Sequence, residues 1–127
     1  MPDAPTPTVD DLLALSRRQL GREPEIRDRG LLESAAGRPT VTVFGEDAYP
    51  GPYEKAAGLL HSIVRNHPLI DGNKRLGFGG AALLLKMQGV DTLLSEDDRF
   101  ELTMVIALGE LDDIGTIAGR LRPPQER

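Results

Sequence analysis

Cysteine and tryptophan are absent from the 127-residue sequence, and aromatic residues make up only 4% of it. Without cysteine the chain can form neither a disulfide framework nor a thiolate metal site, a composition compatible with a reducing cytoplasm. Because aromatic side chains are scarce, the core must be built from Leu, Ile, Val and Ala, as is common where helices pack together.

A basic excess and a long apolar run are also lacking. The sequence has 15 Lys and Arg residues against 20 Asp and Glu residues, a net charge of -5. This balance argues against direct nucleic-acid binding, which normally shows as a surface excess of positive charge. The longest apolar run, residues 81–85, is far too short to cross a bilayer, and residues 1–10 lack the features of a targeting signal. We therefore expect a soluble, cytoplasmic protein with no membrane association.

Most of the local sequence signals are those of helices. Thr8 can cap a first helix, Gly37 can close a second as a C-cap, and Ser95 can open a capping box. Pro52 suits the first position of a long helix, and Pro68 interrupts the chain after it. Together with the spacing of apolar residues, these signals predict helices at about residues 9–20, 31–36, 52–66, 72–88, 95–108 and 113–121.

One segment has the pattern of a strand. Alternation and β-branched side chains characterise the run Thr40, Val41, Thr42, Val43 and Phe44. No other segment offers a credible partner strand, and residues 45–52 are dense in turn formers, so we expect a hairpin-like flap.

The expected fold class is therefore mostly α, a compact single-domain helical bundle with a short β flap. We expect the folded domain to span residues 8–122. It would lie between a disordered N-terminal segment at residues 1–7, which contains three prolines, and a flexible tail at residues 123–127.

The residues that carry chemistry are concentrated in the loop between the two long helices, where the sequence is HPLIDGNKR from His67 to Arg75. The imidazole of His67 can take a proton from a hydroxyl nucleophile. Asp71 is a hard oxygen ligand suited to Mg²⁺, which usually accompanies a nucleotide. A base, a metal-binding carboxylate and a cationic cradle are what phosphoryl transfer needs.

The long helix predicted at about residues 72–88 points its N-terminus at this loop, and the N-terminus of a helix can bind phosphate. Gly72 allows close approach of a ligand to the backbone, and Asn73, Lys74 and Arg75 follow it. Arg65 can either reach the same phosphate or act as a solvent-facing cation at a helix C-terminus. A capped helix start with a solvated basic end explains Gly72 and Asn73 equally well, but it leaves His67 and Asp71 without a role.

The HPLIDGNKR segment resembles the Fic/Doc motif, which has a histidine, an aromatic residue two positions later, and then acid-Gly-Asn-x-Arg. Residues 30–35, Tyr49-Pro50 and residues 54–61 are similar to the Doc ("death on curing") branch, so the resemblance covers about residues 8–122. It implies a Fic/Doc-type helical fold.

Two departures from the AMP-transferring branch favour the Doc branch. Lys74 replaces a glycine, and Phe78 stands where that branch has an arginine. The resemblance then implies a type II toxin, a kinase that uses ATP and Mg²⁺ to phosphorylate a threonine, in this family on elongation factor Tu, and so blocks translation. In these roles His67 is the base, Asp71 holds Mg²⁺, residues 72–75 cradle phosphates, and the flap at residues 40–44 positions the target peptide.

The sequence contains no complete self-inhibitory pattern of the kind found in many Fic proteins, so we expect a separate antitoxin whose helical segment packs into a groove of the domain. Two further departures concern packing. Leu69 replaces the aromatic residue that anchors the loop, and glycines occupy Gly77, Gly79 and Gly80. These glycines favour tight helix–helix contact over close approach of a nucleotide. An AMP-transferase and a catalytically idle binding module remain the alternatives.

Overall fold

A computed structural model describes residues 5–126 of the chain. Across these residues it contains six α-helices and one two-stranded sheet, so the prediction of a mostly α domain with a short β flap is confirmed. The helices are α1 (Val9–Leu20), α2 (Arg29–Gly37), α3 (Pro52–Asn66), α4 (Asn73–Met87), α5 (Glu96–Ala107) and α6 (Ile114–Leu121).

Side-chain caps explain where several helices begin. Thr8 and Asp11 form a reciprocal capping box at α1, with N–O distances of 3.1 and 2.9 Å. Ser95 and Asp113 cap α5 and α6 by accepting the backbone N–H groups of Asp98 and Thr116, without the return bond seen at α1. Asp28 caps α2 by accepting from the backbone N–H of Leu31, so this helix begins earlier than the predicted residue 31.

The prediction that Gly37 closes α2 as a C-cap is wrong, because the C-cap is Arg38. Gly37 is the last helical residue, and its φ of -81° is right-handed. The chain continues directly into a 3₁₀ turn, Arg38–Thr40, in which Pro39 occupies an early position. Proline fits the first turn of a helix because it has no N–H that would need a partner there. The chain therefore passes from α2 straight into the tighter 3₁₀ turn and does not reverse at Gly37.

The predicted strand at residues 40–44 is shorter than expected. Thr40 belongs to the 3₁₀ turn, and only Thr42–Val43 forms β1, which pairs antiparallel with β2 (Glu46–Asp47). Phe44 and Gly45 make the two-residue turn between them with positive φ values of 53° and 80°. A turn with both central residues at positive φ matches the twist of a hairpin, so residues 42–47 form the expected flap.

The centre of the domain is the antiparallel pair α3 and α4. Helices α2, α5 and α6 pack against α3, while α1 and α5 pack against α4. The close contact requires small residues on α4, as the sequence predicted. A Cβ at Gly77 would lie 2.5 Å from Val64 Cγ2, and one at Gly80 would lie 3.1 Å from Leu12 Cδ2. The glycines of α4 therefore serve helix packing.

The first described residues contact the helical domain, and the last ones form a further turn after α6. The carbonyl of Pro5 accepts a hydrogen bond of 3.2 Å from the Gln88 side chain, and residues Pro124–Glu126 form a 3₁₀ turn. Residues 1–4 of the predicted disordered segment and residue 127 of the predicted tail lie outside the described residues, and these domain limits stay predictions. No helix within residues 5–126 is long and apolar enough to cross a membrane.

Candidate active site

The loop that joins α3 to α4 begins at an unusual backbone position. Helix α3 ends at Asn66 because the residue before Pro68 is excluded from right-handed helical geometry. That residue, His67, adopts the left-handed conformation (φ 51°, ψ 63°), and its N–H donates to the carbonyl of Ile63 over 3.1 Å. The exposed His67 therefore marks a sharp change in chain direction at the C-terminus of a buried helix.

Asn73 locks the loop from inside. Its Oδ1 accepts from the backbone N–H of Leu69 over 2.9 Å, and its Nδ2 donates to the carbonyl of the same residue over 2.8 Å. Leu69 is 1% exposed, so the expectation that leucine can replace the aromatic anchor by burying its side chain is confirmed. The Asn73 side chain thus has a structural contact at each end of its amide, and its predicted part in the phosphate cradle stays a prediction.

The N-terminus of α4 opens toward solvent beyond this clamp. Gly72 is the N-cap, with a φ of 86° and no side chain to cap the helix. A Cβ there would also lie 3.1 Å from Leu20 Cδ2, so both conformation and space favour glycine. The first backbone N–H groups of a helix lack partners inside it, and here they carry the positive end of the helix dipole. This arrangement is suited to an anion.

A cleft of about 350 Å³ lies over this helix end, a size within the range of small-ligand sites. The structure brings most of the predicted site residues together around it: His67, Ile70, Asp71, Gly72, Asn73, Lys74 and Arg75 line the cleft. Lys74 and Arg75 also line a larger neighbouring groove of about 660 Å³ between α4, α5 and the end of α1. The imidazole of His67, the carboxylate of Asp71 and the cationic helix end therefore share one surface depression.

Asp71 has one cationic neighbour that the sequence did not indicate. Arg22, just beyond α1, donates through Nη2 to Asp71 Oδ2 over 3.1 Å, and both side chains are more than half exposed. Within residues 5–126 no group of three or more His, Asp or Glu side chains is placed to hold a metal. A single exposed carboxylate fits Mg²⁺ bound mainly by phosphate oxygens and water, so Asp71 suits a metal that arrives with a nucleotide.

Arg65 is not among the residues that line the cleft. Its Nη1 donates to the carbonyl of Ala107 over 3.2 Å, and its Nε lies 3.7 Å from Asp112 Oδ1. Asp112 also pairs with His61 Nε2 at 3.0 Å, and this hydrogen bond is the main cause of the lowered pKa of Asp112, with a further contribution from Arg65. His61 is thus a hydrogen-bonded helix histidine, as its sequence context suggested.

The flap has a buried support that the sequence did not reveal. Lys55 of α3 is 7% exposed, and its Nζ donates to the carbonyls of Pro39 and Tyr49 on either side of the flap. It also lies 3.4 Å from Asp47 Oδ2 of β2. At the opposite end, the Phe44 side chain is fully exposed at the tip of the turn. The predicted flap residues therefore form a small hairpin with an anchored base and an apolar tip.

Arg27 is a second arginine that sequence reasoning missed. Its guanidinium donates from Nε to the carbonyl of His67 and from Nη2 to the carbonyl of Asn66, each over 2.6 Å. Arg22 and Arg27 both lie in a charged segment without periodicity, which indicated only a loop. No local signal shows that this segment runs beside residues 66–71.

Comparison with known proteins assigns the sequence that forms this site to a family. The sequence profile of the Fic/DOC family matches residues 6–85, which include α1 to α3, most of α4 and the whole loop around the cleft. The chain belongs to the Fic/DOC family. The resemblance inferred from residues 67–75 is thereby confirmed.

Two curated relatives in the Fic/DOC family cover most of the chain. "Toxin Doc" of Mycolicibacterium smegmatis is 42% identical over 113 residues, a match that spans 88% of this chain and 87% of that protein. "Protein kinase doc" of Escherichia phage P1 is 29% identical over 116 residues, which is 89% of this chain and 90% of that protein. Their lengths correspond closely to that of this chain.

Proposed function

We propose that this Fic/DOC protein transfers the γ-phosphoryl group of ATP to a hydroxyl group of a protein. The observation that carries the proposal is the shared cleft, in which His67 and Asp71 lie beside the open N-terminus of α4 with Lys74 and Arg75. The N-terminus of a helix can bind phosphate, but binding alone needs no proton acceptor. An exposed histidine beside it supplies the proton acceptor that turns binding into transfer.

In the proposed reaction His67 takes the proton of the target hydroxyl as its oxygen forms a bond to the γ-phosphorus. The bond from that phosphorus to the β,γ-bridging oxygen breaks, and ADP leaves with the electron pair. The backbone N–H groups at the start of α4, with Lys74 and Arg75, hold the phosphate oxygens. Asp71 would hold Mg²⁺, which neutralises charge on the phosphates when bound.

Phosphate is favoured over AMP as the transferred group by two positions of α4. Lys74 lines the cleft and fills space that a glycine would leave for an extended phosphate chain. Phe78, where the AMP-transferring branch has arginine, is 8% exposed and offers no cation to a second phosphate. The name of the phage relative, a protein kinase, points in the same direction.

Incubation of the protein with γ-labelled or α-labelled ATP and a target extract tests this choice. Phosphoryl transfer predicts that the target is labelled only by γ-labelled ATP and that His67→Ala abolishes the labelling. Labelling by α-labelled ATP alone would show AMP transfer and overturn the kinase proposal.

We further propose that the protein is the cytoplasmic toxin of a type II toxin–antitoxin pair and phosphorylates a threonine of elongation factor Tu, so blocking translation. Support comes from the name of the mycobacterial relative and from the flap at residues 42–47, whose edge can pair with an extended peptide. Growth arrest on expression, relieved by His67→Ala, is the expected result. Normal growth with confirmed folded protein would contradict the toxin proposal.

The groove next to the cleft is the proposed seat of the antitoxin. Phe100, which is 69% exposed, lines it together with Phe78 and Met104, while Lys74, Arg75 and Arg99 outnumber the one acidic residue, Glu96. This lining suits an amphipathic helix with an apolar stripe and acidic flanks. Because the groove and the cleft share Lys74 and Arg75, a helix seated there competes directly with nucleotide.

Replacement of the groove residue Phe100 tests the seat without touching the cleft. Phe100→Asp should keep toxicity but lose neutralisation when the antitoxin is co-expressed. Leu108→Asp, at the exposed C-cap of α5 and outside the groove lining, is the matched control and should keep both toxicity and neutralisation. Full neutralisation of the Phe100→Asp variant would place the antitoxin elsewhere.

A further inference from the structure

A segment outside the motif runs antiparallel to the loop that carries His67. The backbone N–H groups of Arg27 and Asp28 both donate to the carbonyl of Pro68, over 2.8 and 3.0 Å. In the opposite direction, the N–H of Ile70 donates to the carbonyl of Glu25 over 2.9 Å. The loop is therefore held from outside by residues 25–28, in addition to the Asn73 clamp within it.

The Arg27 side chain adds a contact of a different kind. It forks across the carbonyls of Asn66, the last residue of α3, and His67, the C-cap, with two hydrogen bonds of 2.6 Å. The final carbonyls of a helix have no partner within it and carry its negative end. A guanidinium is suited to this position because its donors are fixed in one plane and its charge is permanent.

The two carbonyls flank a strained residue. With a φ of 51° and a ψ of 63°, His67 adopts a conformation that is unfavourable for a residue with a Cβ. Such a conformation persists only when its surroundings determine it. By holding the peptide groups before and after the Cα of His67, Arg27 fixes both dihedral angles, and with them the direction in which the imidazole leaves the backbone.

We propose that Arg27 is a positioning residue for His67, acting through the backbone of the loop and not through contact with substrate. This inference rests on the proposed function of His67 as the base. The phosphate cradle at the start of α4 is held separately by Asn73 and Leu69. Loss of the Arg27 fork should therefore impair transfer while nucleotide affinity is kept.

Arg27→Lys is the informative variant, because lysine keeps the charge but cannot reach two carbonyls in one plane. Arg29→Ala is the control, since Arg29 is an exposed arginine at the start of α2 whose ion pair within residues 5–126 is with Glu33 of the same helix at 3.3 Å. Thermal unfolding, ATP affinity by calorimetry and single-turnover transfer should be measured for both variants. Misplacement of a reacting group by about 1 Å can cost about 100-fold in rate.

For Arg27→Lys we expect transfer to slow by at least about tenfold, with the ATP Kd within about twofold of wild type and folding retained. Arg29→Ala should match wild type in all three measurements. Wild-type transfer by Arg27→Lys would overturn the proposal, and so would a slowing fully explained by weaker ATP binding. These outcomes separate positioning from a general loss of structure.

Amide hydrogen exchange gives a readout that does not depend on the reaction. In Arg27→Lys the N–H groups of His67 and Ile70 should exchange at least about tenfold faster, while those in the middle of α4 stay protected. Unchanged exchange at both residues would overturn the positioning role even in an active enzyme. Absence of transfer by the wild-type protein, with faster exchange in the variant, would instead refute only the proposed function.

Discussion

Truncation of the Asn73 side chain tests whether its amide holds the loop or binds a ligand. Asn73 is 9% exposed, and its amide makes both of its hydrogen bonds to the backbone of Leu69, which is itself buried. In Asn73→Ala the N–H and the carbonyl of Leu69 both lose their partner, because a methyl group can form neither hydrogen bond. The loop should then detach from the start of α4 whether or not a nucleotide is present.

The expected size follows from the two groups left unpaired. A buried polar group without a partner costs about 1–3 kcal/mol, and some water can reach this loop, so we expect about 2–4 kcal/mol for the pair. For a chain of this length, 1 kcal/mol corresponds to about 4 °C in Tm. Asn73→Ala should therefore lower the Tm of the ligand-free protein by about 8–16 °C.

Lys74→Ala is the neighbouring control. Lys74 is exposed and lines the cleft, so its removal should change stability by no more than about 0.5 kcal/mol while weakening ATP binding. Scanning calorimetry without nucleotide and ATP titration should be run on both variants. If Asn73→Ala keeps the wild-type Tm but loses ATP affinity, the amide serves the ligand and the clamp is not what holds the loop.

Three further predictions concern packing, the metal and pH. Gly77→Ala should lower the Tm because its Cβ would press on Val64 of α3. Gly119→Ala should instead stabilise α6 by about 0.5–1 kcal/mol, since no atom of residues 5–126 outside its own stretch of helix lies within 4 Å of the added Cβ. Equal shifts in Tm would contradict this packing. Arg22→Ala should raise Mn²⁺ affinity at Asp71 about two- to fivefold in the presence of ADP, since it frees the carboxylate; unchanged affinity would show that the ion pair does not compete. The pKa of Asp113 is lowered below 3.8 by hydrogen bonds from the side chain and then the backbone of Thr116, so its contribution to stability is present above about pH 3.8 and is lost as pH falls through the lowered value. Urea unfolding at pH 5 and pH 3 should show a smaller acid loss for Asp113→Asn, and an identical loss would exclude this cap as a source of the pH dependence.

The parts of the fold that sequence could predict are those governed by local chemistry. Helices α1 and α3 have the predicted limits because Thr8, Pro52 and Pro68 act within a few residues of themselves. The cleft was predictable for the same reason, since a histidine, an acid and a helix start lie close together in one loop. The hairpin was harder to place because Phe44, without the freedom of glycine, takes a positive φ that its type does not indicate.

What sequence could not predict depends on contacts between distant residues. Arg22 and Arg27 reach the loop across 49 and 40 positions of the chain, from a segment with no periodic pattern. The role of the Asn73 side chain was also hard to predict, although its partner lies only four positions away. Its position at a helix start beside a phosphate site suggests a ligand contact, but its amide turns to Leu69 because that buried residue needs partners for its backbone.

Phosphoproteomics of cells that express this Fic/DOC protein, compared with cells that express His67→Ala at the same level, tests the central claim most directly. We predict a new phosphothreonine on elongation factor Tu that appears with the wild-type protein and is absent with the variant. An identical phosphoproteome in the two cultures, with both proteins folded, would contradict phosphoryl transfer by His67.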